Sequence, residues 1–191
     1  MNEREKQRVL ELVREEIDVV EYDPSWPGRF YAEKQHLLAC LPGMLVHRVE
    51  HIGSTAVPGL ASKPVIDMLV EVGSLDETVK KVVPILIEQG YDYFWRPSFG
   101  DDVPPFYAWF VKRDSENLRT HHIHMVERHF KHWERLSFRD YLIENPRVAE
   151  EYAELKKKLS VQYRYDRAAY TEAKGSFIRE VTRLAVDCYG A

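Results

Sequence analysis

The residues most suited to chemistry lie between His51 and Val72, where a Gly-Ser pair directly follows an apolar segment. Gly53 allows the backbone to approach a ligand closely, and Ser54 adds a hydroxyl group beside backbone N–H groups at a helix start. Such a turn is suited to holding an anion, although Gly-Ser pairs also occur in ordinary turns. The pair therefore predicts either a phosphate contact or a plain turn.

A single carboxylate interrupts the apolar segment that follows this turn. Asp67 lies between Ile66 and Met68, in a run of residues with the composition of a β-strand. Burying an unpaired carboxylate is costly, so Asp67 either faces water on an edge strand or binds a partner. A divalent metal ion beside the anion-binding turn is the second of these possibilities.

Two histidines on another predicted strand offer further ligands. His122 and His124 are two residues apart, so their side chains share one face of that strand. Imidazole favours zinc, iron, nickel or copper over magnesium. Together with Asp67 they would form a set of two histidines and one carboxylate if the strands are neighbours. The alternatives are a polar pocket wall or exposure to solvent.

Candidate cations come from several parts of the chain. Lys174 lies on the same helical stripe as Tyr170 and several apolar residues, so its ammonium group must reach water or meet an anion. Arg119 precedes the two histidines, and Lys63 lies shortly before Asp67. These two residues are further candidates for contact with a phosphate group.

Three motifs together resemble the GrpB family: GSTAVPGLASKPVID at 53–67, RTHHIH at 119–124 and YTEAKGSFI at 170–178. The resemblance extends over residues 19–184, and the order of strand, Gly-Ser turn, helix, strand and Asp is similar to that of the nucleotidyltransferase superfamily. It implies a small mixed sheet covered by helices. In that fold Gly53 and Ser54 would hold the β- and γ-phosphates, and Asp67 would hold a divalent metal ion.

The resemblance also implies that Tyr170 and Lys174 reach the triphosphate. The chain departs from the superfamily at one position, because active members have a second acidic residue where this chain has Leu69. Glu71 shares the strand face but lies about 13 Å from Asp67 at ~3.3 Å per residue, whereas paired metals are only about 4 Å apart. A site with two carboxylates and two metals on this strand is therefore not expected.

The elements that must position these residues change type along the chain. Short β-branched segments predict strands at 45–52, 64–72, 106–112 and 118–126, and 91–95 is a further candidate strand. The spacing of apolar residues predicts a helix over 74–89, and from residue 127 onward the pattern is helical, with starts at Asn145-Pro146 and Asp166. We therefore predict an α+β protein with a small mixed β-sheet and helices packed on it, followed by a C-terminal helical bundle.

We predict one domain over 1–191, with an α/β core at 19–126 and a helical subdomain at 127–191.

The 191 residues carry 27 basic and 31 acidic side chains, and this mild acidity argues against general nucleic-acid binding. No window resembles a membrane span, and 2 Cys are too few for a disulfide framework. The charged N-terminus is unlike a secretory signal, so we expect a cytoplasmic protein that does not enter a membrane.

The first functional hypothesis is a protein of nucleotidyltransferase-like fold that binds a nucleoside triphosphate or a related phosphorylated ligand. Transfer of a nucleotidyl group to a small acceptor is its expected activity. Asp67, His122 and His124 are the candidate catalytic and metal-binding residues, with magnesium or a transition metal as cofactor. Two alternatives stay open: a nucleotide-binding module that has lost transfer chemistry, and a single-metal His/Asp enzyme of another reaction type.

Overall fold

A computed structural model of the chain describes residues 16–98 and 103–189. Five strands form its sheet: Val46–Ile52 (β1), Ile66–Val72 (β2), Asp92–Pro97 (β3), Phe106–Arg113 (β4) and Arg119–Val126 (β5). Their order is β1-β2-β5-β4-β3. Strands β2 and β5 are parallel, and the other neighbouring strands are antiparallel.

Helices lie before, within and after the sheet in the sequence. Helix α1 precedes β1, α2 and α3 connect β2 to β3, and four helices follow β5. Their bounds are Trp26–Cys40 (α1), Leu75–Lys81 (α2), Val83–Glu88 (α3), Glu134–Glu144 (α4), Pro146–Gln162 (α5), Arg167–Ala173 (α6) and Gly175–Tyr189 (α7). The predicted α+β architecture, with a mixed sheet followed by helices, is therefore confirmed. In the two described stretches, no helix has both the length and the apolar character that crossing a membrane requires.

Two segments predicted as single helices are each divided in the structure. The segment 74–89 forms α2 and α3, because Pro84 has no backbone N–H and would clash inside a continuous helix. Asp166 caps α6 as predicted, accepting a hydrogen bond from the Ala169 backbone N–H. However, α6 ends one residue before Lys174, and α7 begins at Gly175. Lys174 therefore lies at a junction between two helices.

The two faces of the sheet have different neighbours. One face carries Met68 and Ile123 and packs in a large apolar core with residues of α1, α2 and α3, such as Leu37 and Leu86. Because side chains alternate along a strand, Asp67, His122 and His124 lie on the opposite face. The first face therefore holds the fold together, and the second is available for a site.

The C-terminal helices pack against the loop that leads from Ser54 towards β2. Val57 and Leu60 of this loop lie in one apolar cluster with Phe138 of α4 and Tyr152 of α5. Burying such side chains contributes about 1.5–3 kcal/mol each. The loop is therefore fixed between the sheet and the helical half of the chain.

Candidate functional site

Asp67 and His122 meet on the polar face of the sheet. They are paired positions on the parallel strands β2 and β5, and Nδ1 of His122 lies 3.0 Å from Oδ1 of Asp67. Parallel pairing brings together two residues that are 55 positions apart in the sequence. The structure therefore places these two predicted site residues side by side.

The electrostatics of this pair fix its protonation state. Burial acts to raise the pKa of Asp67, but the hydrogen bond from His122 and the charges of Lys63 and Arg135 lower it. Burial lowers the pKa of His122 by more than the neighbouring Asp67 raises it. At neutral pH the pair is therefore a carboxylate and a neutral imidazole whose Nδ1–H donates to Asp67. Nε2 of His122 is buried and forms no hydrogen bond within the described residues.

Gly53 brings the Gly-Ser turn directly against Asp67. Its backbone has φ +73° and ψ −173°, a conformation that is essentially restricted to glycine. A Cβ atom at this position would lie 2.6 Å from Oδ2 of Asp67. The turn continues into a 3-10 helix, Ser54–Ala56, in which the Ser54 hydroxyl is within hydrogen-bonding reach of Tyr152. The predicted turn therefore adjoins both the carboxylate and the C-terminal helices.

Lys63 and Lys174 lie against the same aromatic ring. Nζ of Lys174 is 4.0 Å, and Nζ of Lys63 is 5.6 Å, from the centroid of the Tyr170 ring. Burial lowers the pKa of Lys63 to about 7 and that of Lys174 to about 8, and the nearby Arg167 lowers both. Neither ammonium group forms an ion pair in the part of the chain that the structure describes.

Two arginines add to this positive charge. Arg119, at the start of β5, is only 8% exposed, and both it and Arg167 in the first turn of α6 lower the pKa of Lys63. Among the described residues that act on Lys63, Asp67 is the acid, and it raises the pKa of the lysine. Like charges in a partly buried space repel each other more strongly than they do in water. The cluster is therefore one that a bound anion would stabilise.

Lys156 fixes the loop that carries Lys63. Its side chain is 2% exposed, and Nζ donates a hydrogen bond to the backbone carbonyl of Ala61. The same ammonium group lies 4.7 Å from the centroid of the Tyr152 ring, and burial lowers its pKa to about 7. Lys156 therefore ties α5 to the loop between the Gly-Ser turn and β2.

The expected metal set of two histidines and one carboxylate is not assembled. His124 is buried, and its Nδ1 lies 3.2 Å from the Tyr107 hydroxyl. No three His, Cys, Asp or Glu side chains among the described residues are placed to hold one metal ion. A transition metal held by Asp67, His122 and His124 therefore does not fit this arrangement. Magnesium fits better, because one carboxylate suffices when phosphates and water supply its other ligands.

Leu69 lies where the resemblance to the nucleotidyltransferase superfamily led us to look for a second acidic residue. It is completely buried and packs in an apolar cluster with Ile52 of β1 and Trp109 of β4. It shares a strand face with Asp67, two residues away. This position therefore contributes packing to the sheet and no ligand to the site.

Three residues near the site were missed in the sequence: Tyr152, Arg167 and Arg135. Arg167 could have been found, because it is three residues before Tyr170 and lies on the same face of a short helix. The sequence alone predicts that Tyr152 is a core residue. Arg135 comes close to Asp67 only through the packing of α4 on the sheet.

Comparisons with known proteins agree with the three motifs. The family described as GrpB protein matches residues 16–184. The glutamate-rich protein GrpB of Alkalihalophilus pseudofirmus is 38% identical over 175 residues, which cover 91% of this chain and 98% of that protein. The UPF0157 protein YqkA of Bacillus subtilis is 36% identical over 167 residues, covering 87% of this chain and 46% of that protein.

Among solved structures, the crystal structure of conserved protein GrpB from Enterococcus faecalis matches with a TM-score of 0.76 and 33% sequence identity. The match covers 91% of this chain and 100% of that chain. The fold is therefore that of the solved GrpB structure, the relatives match most of the length of this chain, and the chain belongs to the GrpB family.

Proposed function

We propose that this protein binds a nucleoside triphosphate or a related polyphosphate between the polar sheet face and the C-terminal helices. The supporting observation is the pair of buried ammonium groups of Lys63 and Lys174, on both of which Asp67 and Arg167 act. A polyphosphate would supply several negative charges and so relieve the repulsion among these cations.

The groups in this pocket are suited to different parts of such a ligand. Lys63 and Lys174 offer compact ammonium charges, whereas Arg119 and Arg167 offer planar guanidinium groups that can bind phosphate oxygens in pairs. The Tyr170 hydroxyl is buried and has no hydrogen-bond partner among the described residues. It can therefore donate to a phosphate oxygen that lies between the two lysines.

Nucleotidyl transfer to a small acceptor is the activity that we assign to the pocket. An acceptor oxygen would attack the α-phosphorus, forming a new P–O bond while the bond to the bridging oxygen breaks and pyrophosphate leaves. Nε2 of the neutral His122, oriented through Nδ1 by Asp67, is the available acceptor for the proton of the nucleophile. A magnesium ion on Asp67 and the phosphates would supply charge neutralisation.

A second candidate function is binding of the same ligand without transfer. The observation that favours it is the buried Leu69, which leaves the strand with one carboxylate at the site. In this case nucleotide affinity would depend little on magnesium, and no pyrophosphate would be released.

Calorimetric and thermal-shift titrations with nucleotides, with and without magnesium, test the binding proposal. A ligand present at 100 times its Kd should add about 2.7 kcal/mol to the free energy of unfolding. Lys63→Gln and Lys174→Gln should each weaken binding about tenfold, corresponding to ~1.4 kcal/mol. Lys158→Gln removes the same charge from an exposed position on α5 and is the matched control. Absence of binding, or equal affinity in all three variants, contradicts the proposal.

Pyrophosphate release separates the two candidate functions. A panel of small hydroxyl, amine and phosphate acceptors is incubated with the bound nucleoside triphosphate and magnesium. Release that depends on the acceptor and is lost in His122→Gln supports transfer. Tight nucleotide binding without release for any acceptor supports the binding module.

A further inference from the structure

A second group of cations lies further along the polar face of the sheet. The Arg96 guanidinium on the edge strand β3 lies 4.6 Å from the centroid of the Trp109 ring. Arg135 is in the first turn of α4. Both arginines act on His124 and His132, whose pKa values they lower. Strand β3 and helix α4 therefore each bring an arginine whose charge acts on the same two imidazoles.

No ion pair neutralises these two arginines within residues 16–98 and 103–189, although Arg135 also acts on the Asp67 carboxylate. The neighbouring imidazoles are neutral at neutral pH, because burial lowers the pKa of His132 to about 3 and that of His124 well below its ordinary value. The Arg96 guanidinium therefore lies against a wall of neutral aromatic side chains, on which Arg135 also acts.

Two nitrogen atoms in this wall are buried without hydrogen-bond partners among the described residues. They are Nε1 of Trp109 and Nε2 of His132, in side chains of residues that are 7% and 5% exposed. An indole N–H can only donate, so Trp109 requires an acceptor. Unpaired buried polar groups are costly and rare in folded proteins. An anion at the ring edge, beside the indole N–H, would supply the missing acceptor.

The position of Arg135 on its helix supports the same conclusion. Helix α4 is 11 residues long, and its first turn is where the helix dipole disfavours a cation and favours an anion. Arg135 is therefore unfavourable for the isolated helix. A ligand anion held by Arg135 would interact favourably with both the guanidinium group and the helix dipole.

This group of residues is continuous with the first site. The Trp109 ring centroid lies 5.2 Å from that of His122, and Arg135 also acts on Asp67. A molecule bound over Trp109 would therefore extend towards the Asp67–His122 pair.

We propose that Arg96, Arg135, Trp109 and His132 form an anion subsite for the carboxylate or phosphate group of the acceptor. The role as an acceptor subsite rests on the proposed function. The guanidinium groups provide charge and paired N–H donors, and the two ring nitrogens provide neutral donors. Such a subsite selects an acidic small molecule over a neutral one and orients it towards the site of transfer.

The indole N–H signal of Trp109 reports directly on this subsite. The chain has 4 Trp residues, and Trp109→Phe identifies the relevant signal in the 15N–1H spectrum of the full chain. Inorganic phosphate and acetate are titrated separately, with a nonhydrolysable nucleoside triphosphate already saturating the first site. We expect a saturable shift of the Trp109 signal, and the anion with the lower Kd identifies the acidic group.

Substitutions then assign the shift to the two arginines. Arg96→Gln and Arg135→Gln should each raise the Kd of the anion about tenfold, and Arg96→Gln should change the Kd of the nucleotide less than twofold. Arg128→Gln removes the same charge at an exposed position and should change neither Kd. A wild-type Trp109 signal that does not respond to either anion overturns the proposal. So does an unchanged anion Kd in both arginine variants, or an equal loss of nucleotide affinity in Arg96→Gln.

The two proposals fail in different ways. If the wild-type chain binds no nucleotide but the Trp109 signal still responds to an anion through Arg96 and Arg135, the anion subsite is supported and the proposed function is wrong. If Lys63→Gln abolishes the Trp109 response together with nucleotide binding, the anion and the nucleotide bind at the same site and the inference is wrong.

Discussion

Nδ1 of His122 donates a hydrogen bond to Oδ1 of Asp67 over 3.0 Å, across the parallel strands β2 and β5. This contact fixes the orientation of the imidazole and selects the tautomer in which Nε2 carries no proton. The carboxylate thereby has two roles: it orients a base, and it offers its remaining oxygen towards the Gly-Ser turn.

Asp67→Asn separates these roles, because an amide oxygen can still accept from His122 but carries no charge. We expect the variant to fold, to keep or increase its nucleotide affinity without magnesium, and to lose the increase in affinity that magnesium gives. Calorimetric titrations with and without magnesium measure both quantities. An equal effect of magnesium on wild type and variant would show that Asp67 holds no metal ion.

Gly53→Ala should destabilise the protein and displace Asp67. The substitution forces alanine into a glycine conformation, which costs about 1–3 kcal/mol, and it also places Cβ 2.6 Å from Oδ2 of Asp67. Gly59→Ala is the control, because Gly59 has φ +78° with no atom within 4 Å of its Cβ position. Urea unfolding should show a larger loss for Gly53→Ala. Equal losses would mean that the clash with Asp67 is absorbed without cost.

Leu69→Asp should be strongly destabilising, since Leu69 is completely buried in an apolar cluster. Removing the leucine packing costs about 2–5 kcal/mol, and the buried charge adds to this. Leu69→Asn has the same shape without the charge and is the matched control. Urea unfolding should show a greater loss for the aspartate. A more stable aspartate variant would mean that cations of the site reach this position.

Affinity for a triphosphate should fall as the pH rises from about 7 to 9. The pKa of Lys63 is about 7 and that of Lys174 is about 8, so both lose their protons in this range when no ligand is present. A bound anion favours the charged lysines and raises both pKa values, so binding takes up protons. Titrations in buffers of different ionisation enthalpy count these protons.

Lys63→Gln and Lys174→Gln should each reduce the proton uptake. If the affinity for the triphosphate stays constant between pH 6.5 and pH 9, neither lysine contacts the ligand.

The free energy of unfolding should fall as the pH drops from about 6.5 to 4. Burial lowers the pKa of His51 and His121 to about 4 and that of His132 to about 3. The unfolded chain takes up these protons near pH 6.5, whereas the folded chain does not, so stability present above pH 6.5 is lost on acidification. Each histidine contributes up to about 1.4 kcal/mol per pH unit.

Urea unfolding at pH 7, 6 and 5 measures this slope, and His121→Asn should reduce it by the share of one histidine. A free energy of unfolding that does not change between pH 7 and pH 5 would contradict the burial of these imidazoles.

The residue types of short segments were sufficient to predict most strands of the sheet. The segments 106–112 and 118–126 were predicted as strands, and the structure has β4 and β5 within one residue of these bounds. The division of 74–89 into two helices was missed, because the apolar stripe continues through Pro84. The order of the strands could not be predicted from spacing, since it depends on which edges meet in three dimensions.

In the candidate site, too, contacts between distant segments could not be predicted from the sequence. Strand alternation correctly put His122 and His124 on one face, and the structure pairs His122 with Asp67. It could not predict that Nδ1 of His124 would face Tyr107, because that contact depends on the register of β4 against β5. Arg135 was missed for a related reason, since the packing of α4 has no local sequence signal.

The parallel pairing of β2 with β5 has a consequence for folding. Asp67 and His122 adjoin through the direct pairing of β2 with β5, although β3 and β4 lie between them in the sequence, so no isolated hairpin contains both halves of the pocket. Pairing over such a sequence separation requires closure of a long loop, which slows folding. Occupancy of the pocket would therefore report on the long-range pairing of β2 with β5 at the centre of the sheet.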